Sequence, residues 1–192
     1  MRIAICGKIG SGKSTVCEIL RKDGFFVLSA DKIYAELLKK DQKFVLDISR
    51  EFGIQPIKEN DEFYLDRIAL ARIIFLESEK RVKLNQLTHP RVMQEMMLQA
   101  RGQKIAIMEV PLLSELDNPE QYFDRVIEVI RPQDKAISSV VKRDNLSAEE
   151  VKSRLNSQKD FVISGKIEHT FIYNDSSLED LIVKVKALEK TF

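Results

Sequence analysis

The chain is predicted to fold as an α/β domain, a parallel five-stranded sheet with helices on both faces, and three observations predict it. Short apolar runs alternate with segments whose apolar residues recur at helical spacing. The strand-type runs are nearly uninterrupted, as strands covered on both faces are. A glycine-rich loop, GKIGSGKST over Gly7–Thr15, lies between the first strand and the first helix.

RIAIC (Arg2–Cys6) is the first strand. After the loop, STVCEILRKDG puts Val16, Ile19 and Leu20 on one helical face and stops at Gly24. FFVLSAD (Phe25–Asp31) reads as the second strand, ending in a turn. Helical patterns fill 32–52 and, past a polar gap at 58–62, a long stretch over 65–101, with a helix restart expected at Pro90. KIAIMEV (Lys104–Val110) and RVIEVI (Arg125–Ile130) are the third and fourth strands. Pro132 marks a helix start, and that helix runs to about Arg143. Ser147 with Glu150 forms a capping box, opening a helix that carries Arg154 and Gln158. HTFIYN (His169–Asn174) is the fifth strand. Ser176 with Glu179 caps the last helix, whose apolar face is Leu178, Leu181, Ile182, Val185 and Leu188.

The 192 residues suit one domain, with a helical region over about 32–101 and no second large core. Thirty-one basic side chains face 30 acidic ones, so no global field draws the protein to nucleic acid or to a membrane surface. No apolar run approaches the roughly eighteen residues of a membrane span, and no signal peptide precedes the first strand, so a cytoplasmic protein is expected. Cys6 and Cys17 read as small buried thiols.

A glycine-rich turn at a helix start aims several backbone N–H groups at one point, where the helix dipole adds positive potential. Ile9, Gly10, Ser11, Gly12, Lys13, Ser14 and Thr15 are therefore the candidates for binding a nucleoside triphosphate. Lys13 reaches the β- and γ-phosphates, and the Ser14 hydroxyl ligates Mg²⁺. In parallel sheets ligands gather at the carboxyl ends of strands, which makes Asp31 and Glu109 the acids to inspect. Either could accept a proton from an attacking hydroxyl or hold a Mg²⁺-bound water, while Asp31 also suits an N-cap. A GTPase switch would carry N-K-x-D and D-x-x-G, which are absent. A small-molecule kinase needs an acceptor pocket and mobile arginines; the segment 32–101 and the cations Lys142, Arg143 and Arg154 offer both.

VPLLSE (Val110–Glu115) resembles the V-P-L-L-x-E element of dephospho-coenzyme A kinases. LDRIALARIIF (Leu65–Phe75), LNQLTHP (Leu84–Pro90), SADKI, KRDNLS and RLNSQ are similar to further elements of that family, in its order and spacing. The resemblance spans essentially the whole chain. It implies a P-loop kinase of nucleoside-monophosphate-kinase type, working in the cytoplasm on ATP, Mg²⁺ and dephospho-coenzyme A, as a monomer or weak oligomer. It makes Asp31 the base for the ribose 3′-hydroxyl, Arg143 a lid arginine in a lid over about 133–165, and Glu109 a Mg²⁺-site acid. Arg67, His89 and Leu112 become candidate substrate contacts, although an exposed helix arginine and a packed histidine are ordinary too. Met93, Met96 and Met97 at helical spacing read as core, or as soft surface for an apolar pantetheine arm.

The chain departs from the family pattern at Ser29, where an acid is usual, and at Glu109, where Asp is usual. Ser139 replaces a second lid arginine, Glu168-His169 replaces Ala-Asp, and Ser176 replaces a glycine. Loss of one lid arginine removes about 1–3 kcal/mol of charge-assisted hydrogen bonding. Another small-molecule or nucleoside monophosphate kinase, and a non-catalytic ATP-binding regulator, are the alternatives.

Overall fold

In chain order the elements are β1 (Arg2–Cys6), α1 (Lys13–Lys22), β2 (Phe26–Ser29), α2 (Ala30–Lys40), α3 (Gln42–Glu51), β3 (Ile57–Glu59), β4 (Glu62–Tyr64), α4 (Arg67–Leu76) and α5 (Ser78–Gln99). There follow β5 (Ala106–Glu109), two short 3₁₀ turns, β6 (Arg125–Ile130), α6 (Gln133–Asp144), α7 (Ala148–Ser157), β7 (Glu168–Tyr173) and α8 (Leu178–Glu189). This is a computed structural model that describes residues 1–158, 160–162 and 165–192, less the side chains of Phe75, Leu76 and Ser78. The chain forms two compact units, residues 1–29 with 100–192, and residues 30–99.

The first unit holds a five-stranded sheet in the order β2-β5-β1-β6-β7, and every pairing is parallel. Alternation along the strands sends Ile3, Ile5, Ile107, Ile127, Val129 and Ile172 to one face. There they close on Val16, Cys17 and Leu20 of α1 and on Leu181, Val185 and Leu188 of α8. Each such buried aliphatic side chain contributes about 1.5–3 kcal/mol. A smaller cluster joins α6 to α7 through Val140, Val151 and Leu155, and Ile9 of the glycine-rich loop packs against it.

At the amino end of β6, Arg125 is buried yet fully used. It donates to Thr170 Oγ1 (2.8 Å) and Thr191 Oγ1 (2.7 Å), and its Nε lies 3.1 Å from Glu168 Oε1. The exposed Glu168 can turn to water if Arg125 is lost, so Arg125→Met costs about 1–2 kcal/mol rather than the full penalty of an orphaned buried charge. At about 2–4 °C per kcal/mol for a chain this long, thermal melting shifts down by several degrees. The KM for ATP stays as it was, because the glycine-rich loop follows the opposite end of the sheet; a melt identical to wild type refutes this reading.

The second unit is helical apart from a hairpin. The helix expected over 32–52 is two, divided at Asp41, whose carboxylate accepts from Phe44 N–H (3.0 Å) as the cap of α3. That bond, and then Arg91 Nη2 at 2.8 Å, hold the Asp41 carboxyl below its usual range. The expected polar gap at 58–62 is the turn of the β3–β4 hairpin, where Asn60 and Asp61 both take positive φ (47° and 63°). The helix expected over 65–101 is α4 and α5, broken at Glu77. No restart occurs at Pro90, which lies inside α5. Met93 and Met96 are buried, as expected of core.

Other boundaries shift as well: β7 covers 168–173 where a strand over 169–174 is expected, and Gln158 follows the last residue of α7, Ser157. β2 ends at Ser29, so Asp31 sits in the first turn of α2 rather than at a strand end or a cap position. β5 covers only 106–109 of the strand expected over 104–110. The last helix is capped by Ser177, which accepts from Asp180 N–H, not by the Ser176–Glu179 pair one residue earlier. The Ser147–Glu150 capping box forms with both of its bonds. The expected lid over 133–165 covers α6 and α7, and its Lys159, Ile163 and Ser164 lie outside the described residues. No helix among the described residues is long and apolar enough to cross a membrane.

Candidate functional site

The loop Gly7–Thr15 leaves the carboxyl end of β1 and turns into α1 through Gly12, whose left-handed φ of 99° lets the first N–H groups of the helix point out together. No side chain caps that helix start, which leaves its donors available to an anion. The buried Lys13 ammonium folds back to donate to Gly7 O (2.7 Å) and Lys8 O (3.0 Å). Its charge is thereby held at the start of the loop.

Ser14, one residue on, is exposed, and its hydroxyl donates to Glu109 Oε1 at 2.7 Å. Glu109 ends β5, the sheet neighbour of β1, with Ile5 opposite it in register. Parallel pairing therefore puts a hydroxyl and a carboxylate read from distant parts of the sequence into direct contact. Among the described residues no group of three or more His, Cys, Asp or Glu stands together. A Mg²⁺ ion does not need one, since it is held by one or two protein oxygens together with phosphates and water.

Leu112 lines the narrow cleft that Gly7 and Lys8 also border. Of the remaining expected site residues, Arg143 lies in the last turn of α6. It forms a two-bond pair with the adjacent Asp144 (2.6 and 2.8 Å), which raises the Arg143 pKa and lowers that of Asp144. Asp31, Arg67 and His89 belong to the helical unit: Asp31 exposed in the first turn of α2, Arg67 at the start of α4, His89 half-buried within α5. There the Arg67 charge acts on Tyr34, opposing the rise that burial imposes on the tyrosine's pKa.

Among the described residues several contacts on the loop are not foreseen from its motif, one of them from Arg131 Nη1 to Gly10 O (3.4 Å). Asn174, buried at the end of β7, donates from Nδ2 to Ser11 O (2.9 Å). Gln158 accepts from Ile9 N–H (2.8 Å), and Asp160 pairs with Lys8 (2.7 Å). Only Gln158 left a trace in the sequence, as the last residue of RLNSQ. Cys6, beside the loop, is no nucleophile: burial first, and then the Glu128 charge, push its thiol up to about 12.

A model of the dephospho-CoA kinase family matches residues 1–180 of this chain. The dephospho-CoA kinase of Wolinella succinogenes is 33% identical to it, over 98% of this chain and 93% of the relative. That of Corynebacterium glutamicum is also 33% identical, over 97% and 96%. Among solved structures, the dephospho-CoA kinase from Campylobacter jejuni matches with a TM-score of 0.68 at 27% identity, covering 98% of this chain and 95% of that one.

Proposed function

The chain belongs to the dephospho-CoA kinase family and phosphorylates dephospho-coenzyme A from ATP, and on that premise we propose which residues carry the transfer. The phosphates of ATP sit in the loop Gly7–Thr15, against the backbone N–H groups of Ile9 to Thr15, with Lys13 meeting the β- and γ-phosphates. Ser14 and Glu109 hold Mg²⁺, and their 2.7 Å bond is the observation that carries this assignment. Held there, Mg²⁺ would supply charge neutralisation at the phosphates. Dephospho-coenzyme A lies on the helical region over about 32–101, with Arg67, His89 and Leu112 in contact with it.

Asp31 takes the proton of the ribose 3′-hydroxyl as that oxygen attacks the γ-phosphorus in line. Ser29 pairs in register with Glu109, and Asp31 follows Ser29 by two residues. Arg143 meets the transferring phosphoryl group when the segment over about 133–165 closes. Its present partner is no obstacle, because an exposed ion pair is worth less than about 1 kcal/mol and a phosphoryl group offers more charge. Closure excludes water and so suppresses hydrolysis of ATP. We assign the protein to the cytoplasm, as a monomer or weak oligomer without nucleic-acid or membrane partners. The two buried free cysteines and the net charge of +1 support that assignment.

The testing experiment is ADP release by purified protein with ATP and Mg²⁺, comparing dephospho-coenzyme A with AMP, CMP, shikimate and no acceptor. Stimulation by dephospho-coenzyme A alone is expected. Stimulation by another acceptor replaces the substrate, and equal low rates throughout turn the chain into an ATP-binding regulator. Glu109→Gln keeps an oxygen for the Ser14 hydroxyl but removes the charge. It is expected to raise the Mg²⁺ concentration for half-maximal activity several-fold and to lower kcat about 10–100-fold. An unchanged Mg²⁺ titration removes Glu109 from the ion site.

A further inference from the structure

Among the described residues, the stretch after α7 meets the phosphate loop at two points, and the two differ in kind. Lys8 and Asp160 form an ion pair between side chains that are 46% and 84% exposed, a contact of small worth. Gln158, in contrast, bonds to the backbone of the loop: Ile9 N–H donates to its Oε1 at 2.8 Å. Ile9 is fixed from its other side too, since its side chain packs on the α6–α7 cluster of Val140, Val151 and Leu155.

A backbone N–H can be met only by the carbonyl end of a glutamine amide. The bond therefore decides which end of the Gln158 amide meets the loop, and leaves Nε2–H₂ as the end able to donate elsewhere. That end has no protein partner among the described residues. The cleft that Gln158 borders is lined by Gly7, Lys8, Leu112 and Ser114. Gly7 and Lys8 carry the two carbonyls on which the Lys13 ammonium rests, so the place where Lys13 meets the terminal phosphate adjoins this stretch of loop.

We infer that Gln158 is a further catalytic residue: its carbonyl locks onto Ile9 N–H, and its Nε2–H₂ donates to the phosphoryl group in transfer. It supplies a neutral donor on a chain in which serine stands at position 139. The inference rests on the proposed phosphoryl transfer from ATP.

Two variants test it. Q158A removes both ends of the amide. Q158E keeps an oxygen for Ile9 N–H but loses the donor and adds a negative charge. The measurements are kcat and KM for ATP with dephospho-coenzyme A, alongside thermal melting without nucleotide. Both variants are expected to lose about 10–100-fold in kcat, the size of a single lost donor to developing charge. The KM for ATP of Q158A stays within about threefold of wild type, and both proteins melt with it. Wild-type turnover in Q158E would reduce Gln158 to a docking contact on Ile9 and overturn the inference. So would full turnover in Q158A, with or without tighter ATP binding. A wild-type protein that dephospho-coenzyme A fails to stimulate would fail the functional assignment instead, before either variant is compared.

Discussion

Replacing Asp31 by Asn lowers kcat by about two to three orders of magnitude while the KM for ATP moves by less than about threefold. Asparagine matches aspartate in size and still fits the first turn of α2, but its amide cannot take a proton. The loss thus falls on the chemical step, where the hydroxyl oxygen must become a nucleophile. The helix-dipole share of a first-turn carboxylate is about 0.3–1 kcal/mol, and thermal melting of the variant separates any loss of folding from the loss of chemistry. Single-turnover measurements with saturating ATP and dephospho-coenzyme A isolate that step from product release. Undiminished turnover would leave Asp31 as an ordinary acid at a helix start. A selective rise in the Mg²⁺ requirement would reassign it to holding a water of the metal ion.

Gly7→Ala damages both stability and ATP binding, because the position has no room and no tolerance. Its φ is +140°, and an added Cβ would lie 2.4 Å from Val129 O and 2.9 Å from Ser11 Oγ. Val129 O belongs to the backbone of β6, which is paired on both edges with β1 and β7 and cannot retreat. The loop must therefore lift off the sheet. It carries with it the two carbonyls that seat Lys13. The expected cost is about 3 kcal/mol or more in stability, with a rise of at least about tenfold in the KM for ATP. Chemical denaturation and ATP titration measure the two separately. A variant that keeps wild-type ATP affinity would show that the loop does not need its seat on β6.

The parts of the fold legible in the sequence are those whose cause is local and strong. β6 occupies 125–130 as read, because six residues with four apolar side chains have no competing helical pattern. The box at Ser147 is a local bond pair and forms where its spacing says. Where two local solutions are nearly equal, the structure chooses by contacts from far away. Ser176–Glu179 and Ser177–Asp180 are rival caps one residue apart, and the strand before them, ending at Tyr173 with Asn174 bound to Ser11 O, lies upstream of a turn that uses the second. The Asn60-Asp61 pair is a recognisable two-residue turn, but the flanking strands are only three residues each and carry little periodicity.

The candidate site divides in the same way. The loop is visible from spacing alone, and Glu109 from its place at a strand end. Their contact needs β1 and β5 to be sheet neighbours, which chain order does not state. The grips of Gln158 and Asn174 on the loop join residues about 150 positions apart and leave almost no local signature. Arg143 shows the reverse case. A local pattern marks it, yet its bonds run to its own neighbour in the chain.

The strand order has a consequence for how the protein is made. β1 lies between β5 and β6, so it is synthesised with both of its partners about a hundred residues or more downstream. At ribosomal speeds the apolar RIAIC segment waits roughly 5–25 s for the chain that will cover it. The helical unit, contiguous over 30–99 and compact in itself, is complete well before that. The sheet, and with it the seat of the glycine-rich loop, must be the late event. A nascent chain arrested near residue 105 should therefore already hold the helical unit but be unable to bind ATP, its first strand available to whatever chaperone reaches it.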